Sequence, residues 1–150
     1  MSTQSDGPLP VWRQVVLDTT DARRLAEFYR GLLGLRYRPG DEPPAEGEPD
    51  PRGEDWLVLR TPSGAGLAFQ QVAELPEPTW PDGPYPQMLH LDLSVPDLDA
   101  LSRQHERALR LGARPLLDRT DDPAEPLYVY ADPSGHPFCI FVAPPPAPRD

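Results

Sequence analysis

The chain repeats itself, and the repeat constrains its fold more than any other feature. QVVLDTTDARRLAEFYRGLLGLRYRP begins at Gln14 and HLDLSVPDLDALSRQHERALRLGARPL begins at His90. In each copy a polar residue opens a short apolar run. An aspartate follows seven positions later (Asp21, Asp97), and an amphipathic stretch closes on Leu-Gly (Leu33 and Gly34, Leu111 and Gly112). The second copy is two residues longer between aspartate and glycine. A Pro-Ser-Gly turn recurs at Pro62 and Pro133, each leading into a strand-like run.

The local chemistry of each copy reads the same way. Residues 12–18 contain the β-branched pair Val15 and Val16 and have strand length. Asp21 or Thr20 can cap a helix by accepting from first-turn N–H groups. Leu25, Phe28, Tyr29, Leu32 and Leu33 recur at helical spacing and predict one apolar face. Gly34 suits the left-handed position that ends a helix. Strands are expected at 35–38, 56–60 and 66–72. In the second copy Asp97 starts a helix and Gly112 ends it, with Leu98, Leu101, His105, Ala108, Leu109 and Leu111 along one face. Strands follow at 114–118, 127–131 and 137–142. Each half therefore reads β-α-β-β-β. The expected fold is α+β: two tandem β-α-β-β-β modules forming one open barrel-like sheet with a concave cleft and helices outside. The 150 residues divide into module 1 at 12–72, a proline-rich connector at 73–87, module 2 at 88–143 and a tail at 144–150, all in one domain.

Charge narrows the partners. The formal net charge is −10 and the pI about 4.6, so a nucleic-acid backbone or an anionic membrane surface would be repelled. Part of that acidity sits in residues 39–55, which read as a solvated loop, and an acidic surface favours a cationic ligand. There is no apolar stretch of membrane-spanning length and no secretory pattern, and one cysteine makes no internal disulfide. The expectation is a cytoplasmic protein with no nucleic-acid or membrane partner. The 23 prolines cluster in the acidic loop, the connector and the tail.

The paired pattern, LAEFYRGLLGL after a strand and DPSGHPFCIF near the end, resembles the vicinal oxygen chelate superfamily. This is the glyoxalase, bleomycin-resistance and extradiol-dioxygenase group, and the similarity is greatest to its glyoxalase-like domain proteins. It covers residues 12–142. The resemblance implies a homodimer and a ligand in the cleft. It also implies metal-ligand positions on the first strand of each half and four residues past each turn glycine. Here those positions hold Gln14, His90, Ala68 and Cys139. Alanine cannot ligate, and a thiolate is softer than the oxygen-rich set such sites favour. Gln14 and His90 are left as weak metal candidates, with Asp92, two residues past His90, able to add an oxygen. No cofactor is expected; a divalent metal is the alternative.

The ligand-binding candidates are Gln14, Trp56, Phe69, His90, Asp92, Tyr128, Tyr130 and Cys139. Each has a plainer reading. Cysteine packs as a small hydrophobe in most settings, Phe28 and Tyr29 suit a helix–sheet core, His136 follows a turn glycine as a structural residue, and His105 belongs near the surface of the second helix. Tyr128 and Tyr130 alternate with Val129, so both point to the same side. Trp80 and Tyr85 lie in the connector, which can cover the cleft or meet a second copy. The functional expectation is a glyoxalase-like protein that binds or sequesters an organic compound without a complete catalytic metal site. The alternatives are a metal-dependent lyase, isomerase or dioxygenase acting on vicinal oxygens, and a scaffold whose cleft is filled by side chains.

Overall fold

The structure is a computed structural model that describes residues 7–143. The polar start before residue 7 and the proline-rich tail at 144–150 lie outside the described residues. The first module comprises β1 (Gln14–Thr19), α1 (Ala22–Leu33), β2 (Arg36–Tyr37), β3 (Trp56–Arg60) and β4 (Gly66–Gln71). The second comprises β5 (Leu91–Val95), α2 (Leu98–Leu111), β6 (Arg114–Arg119), β7 (Leu127–Ala131) and β8 (Pro137–Val142). Hydrogen bonding joins them into two four-stranded sheets, ordered β1-β4-β3-β2 and β5-β8-β7-β6, with no closed barrel. In each, the first and last strands of the module pair in parallel and the remaining pairs are antiparallel.

Both helices begin and end where their caps dictate. The Asp21 side chain accepts from the Arg24 N–H, and Asp97 from the Ala100 N–H. Gln71 adds a second tie to α1, accepting from the Ala22 N–H while donating to the Thr20 carbonyl. Gly34 (φ 67°) and Gly112 (φ 117°) take the left-handed conformation that stops each helix at low steric cost.

One core serves both modules. The α1 face of Leu25, Phe28, Tyr29 and Leu32 is buried against Leu57, Leu59, Leu67 and Phe69. Phe28 also reaches the second sheet, 5.8 Å from the Phe138 ring, and Tyr130 stacks on Phe138 at 5.1 Å. Burying a large apolar side chain is worth about 1.5–3 kcal/mol, so the Phe28 contact with Phe138 helps to hold the modules together. Polar ties close its edge. Thr19 Oγ1 lies 2.8 Å from Ser134 Oγ, and His136 Nε2 lies 2.6 Å from the Asp18 carbonyl. The second helix differs from expectation. Only Leu101 and Ala108 are buried; Leu98, Leu109 and Leu111 stay exposed because α2 covers its sheet along a narrower stripe.

Candidate ligand-binding site

Strand alternation sorts every candidate to one side of its sheet. Val15, Leu17, Leu57, Leu59, Leu67 and Phe69 belong to the helix-covered core. Gln14, Val16, Asp18, Trp56, Val58 and Ala68 therefore point to the opposite, open face. In the second sheet Leu91, Leu93, Phe138 and Ile140 face the core, which turns Asp92 and Cys139 to the open side.

Three of the aromatic candidates lie on the helix side. Phe69 is fully buried and stacks on Tyr29 at 6.0 Å. Tyr130 is fully buried, its hydroxyl 2.7 Å from His105 Nδ1, and Tyr128 stacks on the His105 ring at 3.9 Å. Burial raises the pKa of both tyrosines, so their phenols stay protonated. His105 is thus part of an aromatic stack under α2. Trp56 is half-buried on the open face, paired with Gln70.

A large hollow on the first sheet has a volume of about 910 Å³. The open face of β1 and β4 supplies Val16, Asp18 and Gln70, and the connector supplies the opposite wall with Tyr85 and Gln87, continued by Met88. The side-chain carbonyl oxygen of Gln87 is buried and has no hydrogen-bond partner among the described residues. An orphaned buried acceptor costs about 1–3 kcal/mol, and a donor inside the hollow would remove that cost.

A second cluster lies on the other sheet. His90 Nε2 is 3.2 Å from Asp92 Oδ1, and the ligating atoms of His90, Asp92 and Cys139 all lie within 4.8 Å of one another. Asp92 and Cys139 are register partners on β5 and β8. Burial first, then the Asp92 charge and its hydrogen bond, push the Cys139 thiol up to about 11. The thiol is therefore protonated at neutral pH and is no nucleophile there.

The sequence from Gln14 to Phe141 matches the family model for the glyoxalase-like domain. The chain belongs to that family. Solved structures agree on the fold. A glyoxalase/dioxygenase from Nostoc punctiforme is 23% identical with a TM-score of 0.58, over 96% of this chain and 98% of that one. A glyoxalase/bleomycin resistance protein/dioxygenase family enzyme from Burkholderia phytofirmans is 16% identical with a TM-score of 0.62, over 86% and 95%. The fosfomycin resistance protein FosX from Mesorhizobium loti is 15% identical with a TM-score of 0.59, over 89% and 92%. No curated protein matches the sequence.

The four positions that the glyoxalase-like resemblance marks for a metal do not fit one here. Ala68 is fully buried and carries no donor. Gln14 lines a separate hollow with Arg13, Arg38 and Arg60, whose charges oppose a cation. Only His90 and Cys139 meet, and Asp92 joins them from the same module. Sequence reading missed Gln87 and the arginine hollow. The connector has no periodicity that would reveal a buried amide. The arginines converge only through the β1-β4-β3-β2 strand order.

Proposed function

We propose that this glyoxalase-like chain binds a small organic molecule in the hollow between the open face of the first sheet and the connector. The observation that carries this is the buried, unpartnered Gln87 oxygen in a largely apolar space of ligand size. Asp18 and His136 border that space, but no cysteine, serine or threonine lines it, so the reading is binding or sequestration. The test is titration with the neutral apolar fluorophore N-phenyl-1-naphthylamine against wild type and Val16→Asp. Val16 is 40% exposed on the hollow's floor, so the substitution is tolerated by the fold and puts a charge beneath the ligand. Fluorescence enhancement in wild type that is lost in the variant supports the proposal. Equal binding by both proteins refutes it.

A second reading rests on the His90, Asp92 and Cys139 cluster: a thiophilic divalent ion such as zinc, with metal-dependent lyase, isomerase or dioxygenase chemistry on vicinal oxygens. A zinc-dependent rise in melting temperature, abolished by both His90→Ala and Cys139→Ser, supports it. The absence of any zinc-dependent shift in wild type rules it out.

The proposal extends to a homodimer in a reducing, cytoplasmic setting. Tyr85 (56% exposed), Met88 (99%) and Leu89 (55%) form an apolar rim that a second copy would cover. Sedimentation equilibrium of wild type and Met88→Asp decides it. No helix among the described residues is long and apolar enough to cross a membrane.

A further inference from the structure

Two hollows lie next to each other on the open face of the first sheet, and from their pairing we infer that the ligand is an organic anion: an apolar body with an acidic group at one end. This rests on the binding reading above and names the chemistry of its ligand.

The second hollow, about 290 Å³, is lined by Arg13, Gln14, Arg38, Val58, Arg60 and the glycines 64 and 66. Three guanidiniums and no carboxylate line it, in a chain whose net charge is −10. Strand register builds the floor. Gln14 pairs with Gly66, and Gly66 pairs with Arg60. Gly66 leaves the space between those side chains open, and a Cβ there would run into the Leu59 carbonyl, so no larger residue can fill it.

The arginines are not equivalent. Arg38 is held by Asp41, its Nε donating to Oδ2 at 3.1 Å. Asp41 is fully buried, accepts from the Val58 N–H at 3.0 Å and is shared with Arg52 at 2.8 Å. One carboxylate between two guanidiniums leaves a net positive charge in that corner. Arg13 and Arg60 are exposed and make no ion pair among the described residues. Their donors are free to take a carboxylate, sulfonate or phosphonate in a charge-assisted, two-point grip.

Position then links the hollows. Val16, on the floor of the large hollow, follows Gln14 by two residues on the same strand face, about 7 Å along β1. An acid group held by Arg13 and Arg60 carries its attached frame over Val16 toward Met88. The Gln87 oxygen beyond it accepts from a hydroxyl or amine on that frame. The acidic surface elsewhere repels small anions, so retention requires both the acid and the apolar body. The overall charge alone predicts a cationic ligand; the local charge reverses that.

The experiment compares two fluorophores with the same aromatic frame: N-phenyl-1-naphthylamine, neutral, and 8-anilinonaphthalene-1-sulfonate, its anionic counterpart. Each is titrated at low salt against wild type, Arg60→Lys, Arg13→Gln/Arg60→Gln and Val16→Asp. Wild type is expected to prefer the sulfonate by about tenfold, in line with one charge-assisted contact. The preference shrinks as salt is added, survives in Arg60→Lys and disappears in the double variant, while neutral binding stays within about twofold. A wild type without preference, or a preference that persists in the double variant, overturns the anion inference and leaves the binding reading standing. Unchanged binding of both compounds to Val16→Asp overturns the binding reading itself, and this inference with it.

Discussion

Tyr29 Oη donates to Asp132 Oδ2 at 2.7 Å, joining the helix of the first module to the turn before the last strand of the second. Both side chains are almost fully buried. The other Asp132 oxygen accepts from the Ser134 and His136 N–H groups at 2.8 and 3.0 Å, so the carboxylate that shapes the turn also docks the modules. Burial holds the Tyr29 phenol well above its ordinary value of 10.0, reinforced by the Asp132 charge. Burial likewise raises Asp132 above 3.8, against the pull of its hydrogen bonds. In both cases the folded state keeps a proton that the unfolded chain has lost. Stability therefore falls as pH rises through each window. Above pH 10.0 the urea stability of wild type is expected to decline, and Tyr29→Phe should flatten that decline by one proton's worth of slope. Asp132→Asn should flatten the corresponding fall just above pH 3.8. An unaltered slope in either variant would remove that residue from the account. At neutral pH, Tyr29→Phe should cost about 1–3 kcal/mol, because it strands a buried carboxylate oxygen.

Asp41 supports a second prediction. Its side chain is wholly buried between Arg38 and Arg52 and also takes the Val58 N–H, fixing the loop after β2 onto β3. Removing one member of such a set leaves the others unpaired, at about 3–5 kcal/mol. Asp41→Ala should lose that much in denaturant titration. Asp41→Asn, which keeps an acceptor for Val58, should lose less. It should also free Arg38 and increase the affinity of the arginine hollow for the sulfonate probe. Equal losses for both substitutions would show that the charge, and not the hydrogen bond to Val58, is what the site needs.

Arg107 makes the helix-to-helix tie. Its guanidinium, on α2, donates to the carbonyls of Gly31 and Leu32 at the end of α1, groups that lack an intrahelical partner. Arg107→Met keeps the apolar stem and removes the donors. Its expected cost is about 1–3 kcal/mol, measured by chemical denaturation. A cost near zero would mean that water caps these carbonyls equally well.

The internal repeat carried most of the fold because its signals are local. Aspartate caps, glycine stops and alternating strands need only neighbouring residues to act, and β3, β7 and β8 lie where alternation puts them. The side each strand presents is a non-local matter. Tyr128 and Tyr130 had to share a face, but only the His105 ring lying across Tyr128 determines which one. Likewise Gln14, Arg38 and Arg60 are distant in sequence and meet because β4, parallel to β1, lies between β1 and β3. The His90, Asp92 and Cys139 grouping was partly legible, since residues two apart on a strand share a side, whereas its third member needed the β5–β8 register.

That register makes the last prediction. The Asp92 charge and hydrogen bond add to burial in holding the Cys139 thiol near 11, so alkylation by iodoacetamide should be slow at pH 8 and accelerate toward pH 11. Asp92→Asn removes the negative charge that opposes thiolate formation. The thiol's pKa should fall, and the rate at pH 8 should rise by about tenfold for each unit of that fall, less the lower nucleophilicity of a weaker base. His90→Ala tests the same geometry from the other side. His90 meets Asp92 at 3.2 Å, so its removal leaves the carboxylate free to hold the thiol proton, and the rate should stay at or below that of wild type. If Asp92→Asn reacts no faster than wild type, burial alone governs the cysteine. The cluster would then be three neighbours on two strands without electrostatic coupling.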